Sequence, residues 1–335
     1  MTRPHLLGLL ALAMIAPACV GDATHTMRAG RKTAAPGPVR IVLADAADQR
    51  GTVVTLGRHP AVRSVTLPGR SGGDPPVSLA AVGGGVVFYG ADGAYALPGS
   101  LVAPSRRIHR GLYFVPSASP GRVWVAIQDP RRPRERLVRR VVEVTTGGKT
   151  VISPAHRPPG RNILGALRAG LVIQTRSGLA VWDPRTGTPV RRLPGPFAAA
   201  LHGNLIAWCA SGCPAMHITD AADGSDRVVP HVRQVPWEAS YDGAFSVDGR
   251  YLALPIKAGR AERVVLVDVR ADTSRLIGGP RPATIYPLFG WAPDGDTLYY
   301  VTGGAALARY VVGGRRATAL PARICGHFTN IAILG

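Results

Sequence analysis

The chain has 335 residues, with 40 basic and 20 acidic side chains for a formal net charge of +20, and it carries 41 glycines and 30 prolines. Turn formers spread at that density exclude a helical bundle or coiled coil and call for short strands joined by frequent turns. Aromatic residues make up 6% of the chain and do not interleave with the basic runs, which argues against a base-stacking nucleic-acid module.

The first elements in chain order are targeting signals. Met1 to His5 contains Arg3, and Leu6 to Ala16 is an uncharged apolar run of eleven residues followed by Ala16-Pro17-Ala18 and Cys19. This is the order of an export signal, and the run is too short for a bilayer span of about 20 residues. The expected division is a signal peptide over 1–18, a flexible tether over 19–38 rich in Ala, Gly, Pro and Thr, and a folded domain over 39–335. Cys19 stands where a bacterial lipoprotein carries its lipidated cysteine, although Ala16 replaces the larger aliphatic residue usual there. Lipidation of Cys19 is the expectation, with anchorage on the outer face of the cell membrane. If Cys19 is not lipidated, the protein is secreted and a Cys19–Cys325 bridge becomes feasible.

From Arg40 onward the chain divides into similar units. They run from Arg40 to Leu67, Val77 to Leu97, Gly111 to Ile152, Ile163 to Leu193, Ala198 to Val229, Ala239 to Ile277 and Ile285 to Leu320. A spacing of about 42 residues fits one four-stranded blade of a β-propeller. The first unit is short of a strand, which Ile331 to Leu334 can supply, closing the ring. The expected fold class is all-β, a propeller of seven blades, with six or eight possible because the first hundred residues divide poorly.

Two units carry the clearest signal. Ala244-Phe245-Ser246-Val247-Asp248-Gly249-Arg250-Tyr251-Leu252 returns, altered, as Gly290-Trp291-Ala292-Pro293-Asp294-Gly295-Asp296-Thr297-Leu298, and the Asp-Gly pairs lie 46 positions apart. Each reads as a hairpin with a tight type I′ turn at Asp248-Gly249 or Asp294-Gly295. These phrases resemble the WD40-like repeat of TolB-type propellers, whose pattern is F-S-P-D-G-x-x-L-A, with Val247 and Ala292 departing from it. The resemblance implies a propeller outside the cytoplasm, often with a docking role, and transfers no functional residue because the Asp and Gly make a turn.

Chemistry-bearing patterns are sparse. Cys209 and Cys213 bracket Ala-Ser-Gly, which favours a disulfide in an exported chain over half a metal site flanked loosely by His202 and His217. Gly69-Arg70-Ser71-Gly72-Gly73 has the letters of a nucleophile elbow but is followed by Asp74-Pro75-Pro76 instead of a helix. Gly148-Lys149-Thr150 ends like a phosphate loop, but Glu143 holds the position of the required earlier glycine. Asp220, Asp223 and Asp226 hint at calcium but lack the downstream bidentate Glu. No catalytic residue, metal site or cofactor is assigned.

The positive charge attracts anions, while 37 Arg against 3 Lys also fits GC-rich coding. The expected function is an exported, lipid-anchored binding or scaffold module. Its partner is a protein or an anionic cell-envelope component, with membrane contact through the anchor and no nucleic acid. The alternative is a propeller hydrolase or lyase whose site converges in the central channel.

Overall fold

The structure, a computed structural model, describes residues 38–45, 50–57, 60–67, 79–90, 92–102, 104–128, 138–160, 162–210, 212–229, 232, 243–258, 261–283, 288–326 and 328–335. Every regular element among them is a β-strand, and the strands form seven four-stranded antiparallel sheets. The chain is a seven-bladed β-propeller.

Blade 1 takes β1 (Arg40–Asp45), β2 (Arg50–Thr55) and β3 (Ala61–Thr66) from the start of the chain. Blade 2 is β4 (Leu79–Val82), β5 (Gly85–Gly90), β6 (Gly93–Leu97) and β7 (Arg106–Arg110). Blade 3 is β8 (Tyr113–Pro116), β9 (Arg122–Gln128), β10 (Val138–Thr145) and β11 (Thr150–Ile152). Blade 4 is β12 (Asn162–Leu167), β13 (Gly170–Thr175), β14 (Gly178–Asp183) and β15 (Thr188–Leu193). Blade 5 is β16 (Phe197–His202), β17 (Leu205–Cys209), β18 (Met216–Asp220) and β19 (Asp226–Val228). Blade 6 is β20 (Ala244–Phe245), β21 (Tyr251–Ala258), β22 (Ala261–Asp268) and β23 (Thr273–Ile277). Blade 7 is β24 (Phe289–Trp291), β25 (Thr297–Val301), β26 (Ala306–Val311) and β27 (Thr318–Arg323).

The ring is closed by β28 (Phe328–Leu334), which pairs antiparallel with β1 in the register Ile41↔Ile333 and Leu43↔Ile331. The missing strand of the first unit is thus the C-terminal one, and it begins three residues before Ile331. The second unit extends past Leu97. Its outer strand β7, Arg-Arg-Ile-His-Arg, buries only Ile108 and so shows no apolar alternation to read.

The core lies between blades. Strands in the middle of each sheet are covered on both faces, so β13 and β14 read as near-continuous apolar runs, with Leu171, Val172, Ile173, Val181 and Trp182 all buried. First strands of adjacent blades meet around the axis: β24 with β28, β28 with β4, β8 with β12, and onward through β16 and β20. Seven strands converging on a small circumference leave little room, and several inner strands carry Ala or Gly, as in Leu-Ala-Ala-Val of β4 and Phe-Ala-Ala-Ala-Leu-His of β16. At Gly290 in β24 an added Cβ would stand 2.6 Å from Ile333 Cγ1 of the closing strand.

Candidate functional site

The first strands carry the channel wall. Their sequences are Leu-Ala-Ala-Val, Tyr-Phe-Val-Pro, Asn-Ile-Leu-Gly-Ala-Leu, Phe-Ala-Ala-Ala-Leu-His, Ala-Phe, Phe-Gly-Trp and Phe-Thr-Asn-Ile-Ala-Ile-Leu, without a single Asp, Glu, Lys, Arg or Cys. Two titratable side chains stand on them. Burial pushes the Tyr113 phenol up to about 12, and its oxygen accepts the Ile163 N–H at 2.8 Å, stitching blade 3 to blade 4. Burial, with a further contribution from Arg168, holds His202 below the usual histidine value. Acid–base chemistry therefore has almost nothing to draw on along these strands.

The outermost strands are the opposite. Across β3, β7, β11, β15, β19, β23 and β27 stand nine arginines, Arg63, Arg106, Arg107, Arg110, Arg191, Arg192, Arg227, Arg275 and Arg323, against one acid, Asp226. Arg107 and Arg110 meet the carboxylate of Asp92. Five of these strands also expose an aliphatic residue: Val62, Val151, Val190, Val228 and Leu276. The outer rim is a basic belt with apolar points between the charges.

The Asp-Gly phrases form the hairpins between first and second strands of blades 6 and 7, with a different turn from the one expected. Ser246 C=O accepts the Gly249 N–H at 2.8 Å, and Ser246 N–H donates to Tyr251 O at 2.7 Å. Val247 and Asp248 are thus the central residues, and only Gly249 is left-handed, at φ 71°. A two-residue type I′ turn would need positive φ at both Asp and Gly. The Asp instead works through its side chain. Asp248 Oδ1 accepts the Ser246 hydroxyl at 2.6 Å and the Arg250 N–H at 3.0 Å, and the Ser246 bond holds the carboxyl below its ordinary range. In blade 7, where Ala292 replaces the serine, Asp294 Oδ1 accepts the N–H groups of Asp296 and Thr297, and Gly295 takes φ 75°.

Cys209 and Cys213 form a disulfide with Cα atoms 5.0 Å apart, and Cys213 sits in the left-handed region at φ 45°. Both are buried in the core between blades 5 and 6. Beside them Trp208 stacks on His217 at 4.5 Å and donates its Nε1–H to Thr219 Oγ1 at 2.7 Å. Thr219 donates in turn to Asp226, whose other oxygen meets His217 Nδ1 at 2.8 Å. The two sulfurs are therefore bonded to each other, and His217 is paired with Asp226. Cys325 is also disulfide-bonded. Cys19 lies outside the described residues, as do Gly69 to Gly73 and the run Arg131 to Arg136.

The remaining motifs are hairpin turns. Asp220 Oδ1 accepts the Ala222 N–H and Asp223 Oδ1 the Ser225 N–H, capping the β18–β19 turn from within. Gly148 donates its N–H to Thr145 O in the β10–β11 turn, so Lys149 is followed by a strand and not by the helix of a phosphate loop. Sequence reasoning passed over Glu143 except as a motif mismatch. It is 3% exposed, the one charged residue buried to that degree among the described residues. The signal available was a charge inside the apolar run Val141-Val142-Glu143-Val144.

No family pattern matches the chain, and no curated protein matches it. Solved structures do. AztD from Citrobacter koseri is 14% identical with a TM-score of 0.51, over 89% of this chain and 98% of that one. A candidate 6-phosphogluconolactonase from Bacteroides fragilis is 12% identical with a TM-score of 0.50, over 91% of this chain and all of that one. TolB from Acinetobacter baumannii is 16% identical with a TM-score of 0.46, over 89% of this chain and 66% of that one. At these identities the first two likenesses show the propeller fold and nothing finer, and the resemblance of the Asp-Gly phrases to TolB-type propellers stands at that same level of architecture.

Proposed function

We propose that this chain is an exported propeller that acts as a binding module, docking through its arginine-rich outer strands onto an anionic component of the cell envelope. The observation that carries the reading is the separation of charge: none on the first strands, nine arginines on the last. Burial alone also sends charge outward, so the belt must be tested as a partner surface. Vesicle co-sedimentation does this. The protein should pellet with phosphatidylglycerol vesicles at low salt, release as salt rises past about 0.15 M, and ignore phosphatidylcholine vesicles. Equal retention on both lipids removes the anionic partner and leaves a protein partner as the reading.

Export is supported by the Cys209–Cys213 disulfide, since such bonds persist in oxidising compartments. Residues 1–18 are then the signal and 19–38 the tether. Two fates of Cys19 compete. The Ala16-Pro17-Ala18-Cys19 order favours a lipid anchor, and without lipid a bridge from Cys19 to Cys325 is feasible. Intact mass of protein isolated from cells separates them: an added diacylglyceryl group with one disulfide, or two disulfides and no lipid. A propeller enzyme with a site in the channel finds no support in the uncharged first strands.

A further inference from the structure

One charged group is buried where an apolar one would serve. Glu143 stands on β10 directly across from Trp124 on β9, which is in turn paired with Val115 on β8, so all three project from the same sheet face toward blade 4. Val115 and Trp124 belong to the apolar core between these blades. Placing a carboxylate in that row is costly unless it is well paired. Among the described residues its partners are few. The Ser117 hydroxyl donates to Oε1 at 2.5 Å, and the Arg122 guanidinium stands 3.5 Å from Oε2, longer than the 2.7–2.9 Å typical of a strong charged pair. A carboxylate has about four acceptor positions, and this one has a single short bond.

Glu143 also lines a cleft of about 510 Å³ between blades 3 and 4, within the size range of small-molecule sites. Trp124 and Ile152 line it beside Glu143, and the β8–β9 loop closes one side. Arg168, from the β12–β13 turn, and Arg185, from the β14–β15 turn, line it from blade 4. Both are exposed, and neither guanidinium is in an ion pair among the described residues. Asp183 lines the cleft too, each of its oxygens accepting one bond, from the Arg185 N–H and from the Thr186 hydroxyl. The cleft thus offers a buried carboxylate with few partners among the described residues, beside an indole, with two exposed arginines on the facing blade.

We propose that this cleft binds a small zwitterion, its protonated amine held by Glu143 and Trp124 and its anionic group by Arg168 and Arg185. An indole next to a carboxylate is a good receptor for a cation, through the ring face and the charge together. Two sources share this chemistry: a free peptide, and a phosphoethanolamine-type headgroup. The site is separate from the outer belt and does not depend on it.

Titration calorimetry on the full chain tests this with four probes: glycylglycine, O-phosphoethanolamine, ethylammonium chloride and ethyl phosphate. At least one zwitterion should bind ten-fold or more tightly than either half-probe, and the tighter of the two names the source. Glu143→Gln, which keeps the shape and an acceptor for Ser117, should weaken that binding at least ten-fold. Arg185→Ala changes an exposed turn residue and keeps the test valid should Glu143→Gln fold poorly; it should weaken the zwitterion and leave ethylammonium unchanged. Absence of zwitterion binding, or binding indifferent to both variants, overturns the proposal and leaves Glu143 as an inter-blade strut.

Discussion

The innermost and outermost strands of this propeller share one backbone plan and differ in almost every side chain. The inner seven are uncharged and mostly apolar, as in Leu-Ala-Ala-Val of β4 or Phe-Ala-Ala-Ala-Leu-His of β16. The outer seven are largely exposed, and all but β11 carry arginine, as in Arg-Arg-Ile-His-Arg of β7. Radius explains the first set: strands that converge on the axis are packed by neighbours on both sides, and a charge there would lie in a low dielectric without a partner. An unpaired edge explains part of the second, since each outer strand presents free N–H and C=O groups that invite another chain. Charged side chains on an edge discourage such pairing. The belt therefore has a protective role whether or not it binds anything, and a ligand for it must be shown by affinity and not by exposure.

The sharpest way to break the inner set is to open it. Deleting 324–335 removes β28, strips β1 of its inner partner and exposes its edge at the axis. We expect loss of a single cooperative melting transition, or aggregation during purification, read by calorimetry and light scattering. A truncated protein that stays monomeric and melts like the parent would mean that closure of the ring contributes little. A milder form keeps the strand and changes its polarity. Ala332 is 3% exposed in β28, in an apolar cluster with Val42, Leu79 and Leu334, so Ala332→Asp should cost more than about 3 kcal/mol at neutral pH by chemical denaturation. Lowering the pH to protonate it should return part of that loss, whereas a purely steric clash would not respond.

The same contrast decides what could be read before the structure. The unit spacing and the closure by the last strand are legible because each unit repeats apolar strand, turn residue, apolar strand. The middle strands supply that signal, being buried on both faces. The outer strands do not, and β7 was missed because four of its five residues are polar. The turn type was misread because the dipeptide Asp-Gly occurs in more than one loop, and only the Ser246 C=O bond to Gly249 fixes which. Glu143 lay hidden for another reason: its importance comes from burial between blades 3 and 4, a long-range fact, and its local sequence shows only one charge among valines.

A smaller effect tests the joint between first and second strands. Gly249 has φ 71°, and a Cβ there would stand 2.9 Å from His202 Cδ2 of the neighbouring blade. Gly249→Ala combines left-handed strain with that contact, so a loss of about 1–2 kcal/mol is expected. Gly313 also has positive φ, at 89°, but has open space around it. Gly313→Ala therefore isolates the backbone term, and the difference between the two variants measures the inter-blade contact. Equal losses would show that His202 simply moves aside.

The smallest effect on stability belongs to the belt, and it carries the largest consequence for function. Arg192 and Arg323 are exposed on the outer strands β15 and β27. Reversing both, as Arg192→Glu with Arg323→Glu, should shift the unfolding free energy by no more than about 0.5 kcal/mol each, because exposed charges far from other features rarely do more. Retention on anionic vesicles should fall and its salt dependence should flatten, since each reversal replaces an attraction with a repulsion within a Debye length of the surface. If the variant melts as the parent does and sediments as the parent does, the belt is an edge guard alone. If it loses vesicle binding with its melting curve unchanged, the charge is used. The inner and outer strands then divide the work of the fold, one closing the ring and the other meeting the envelope.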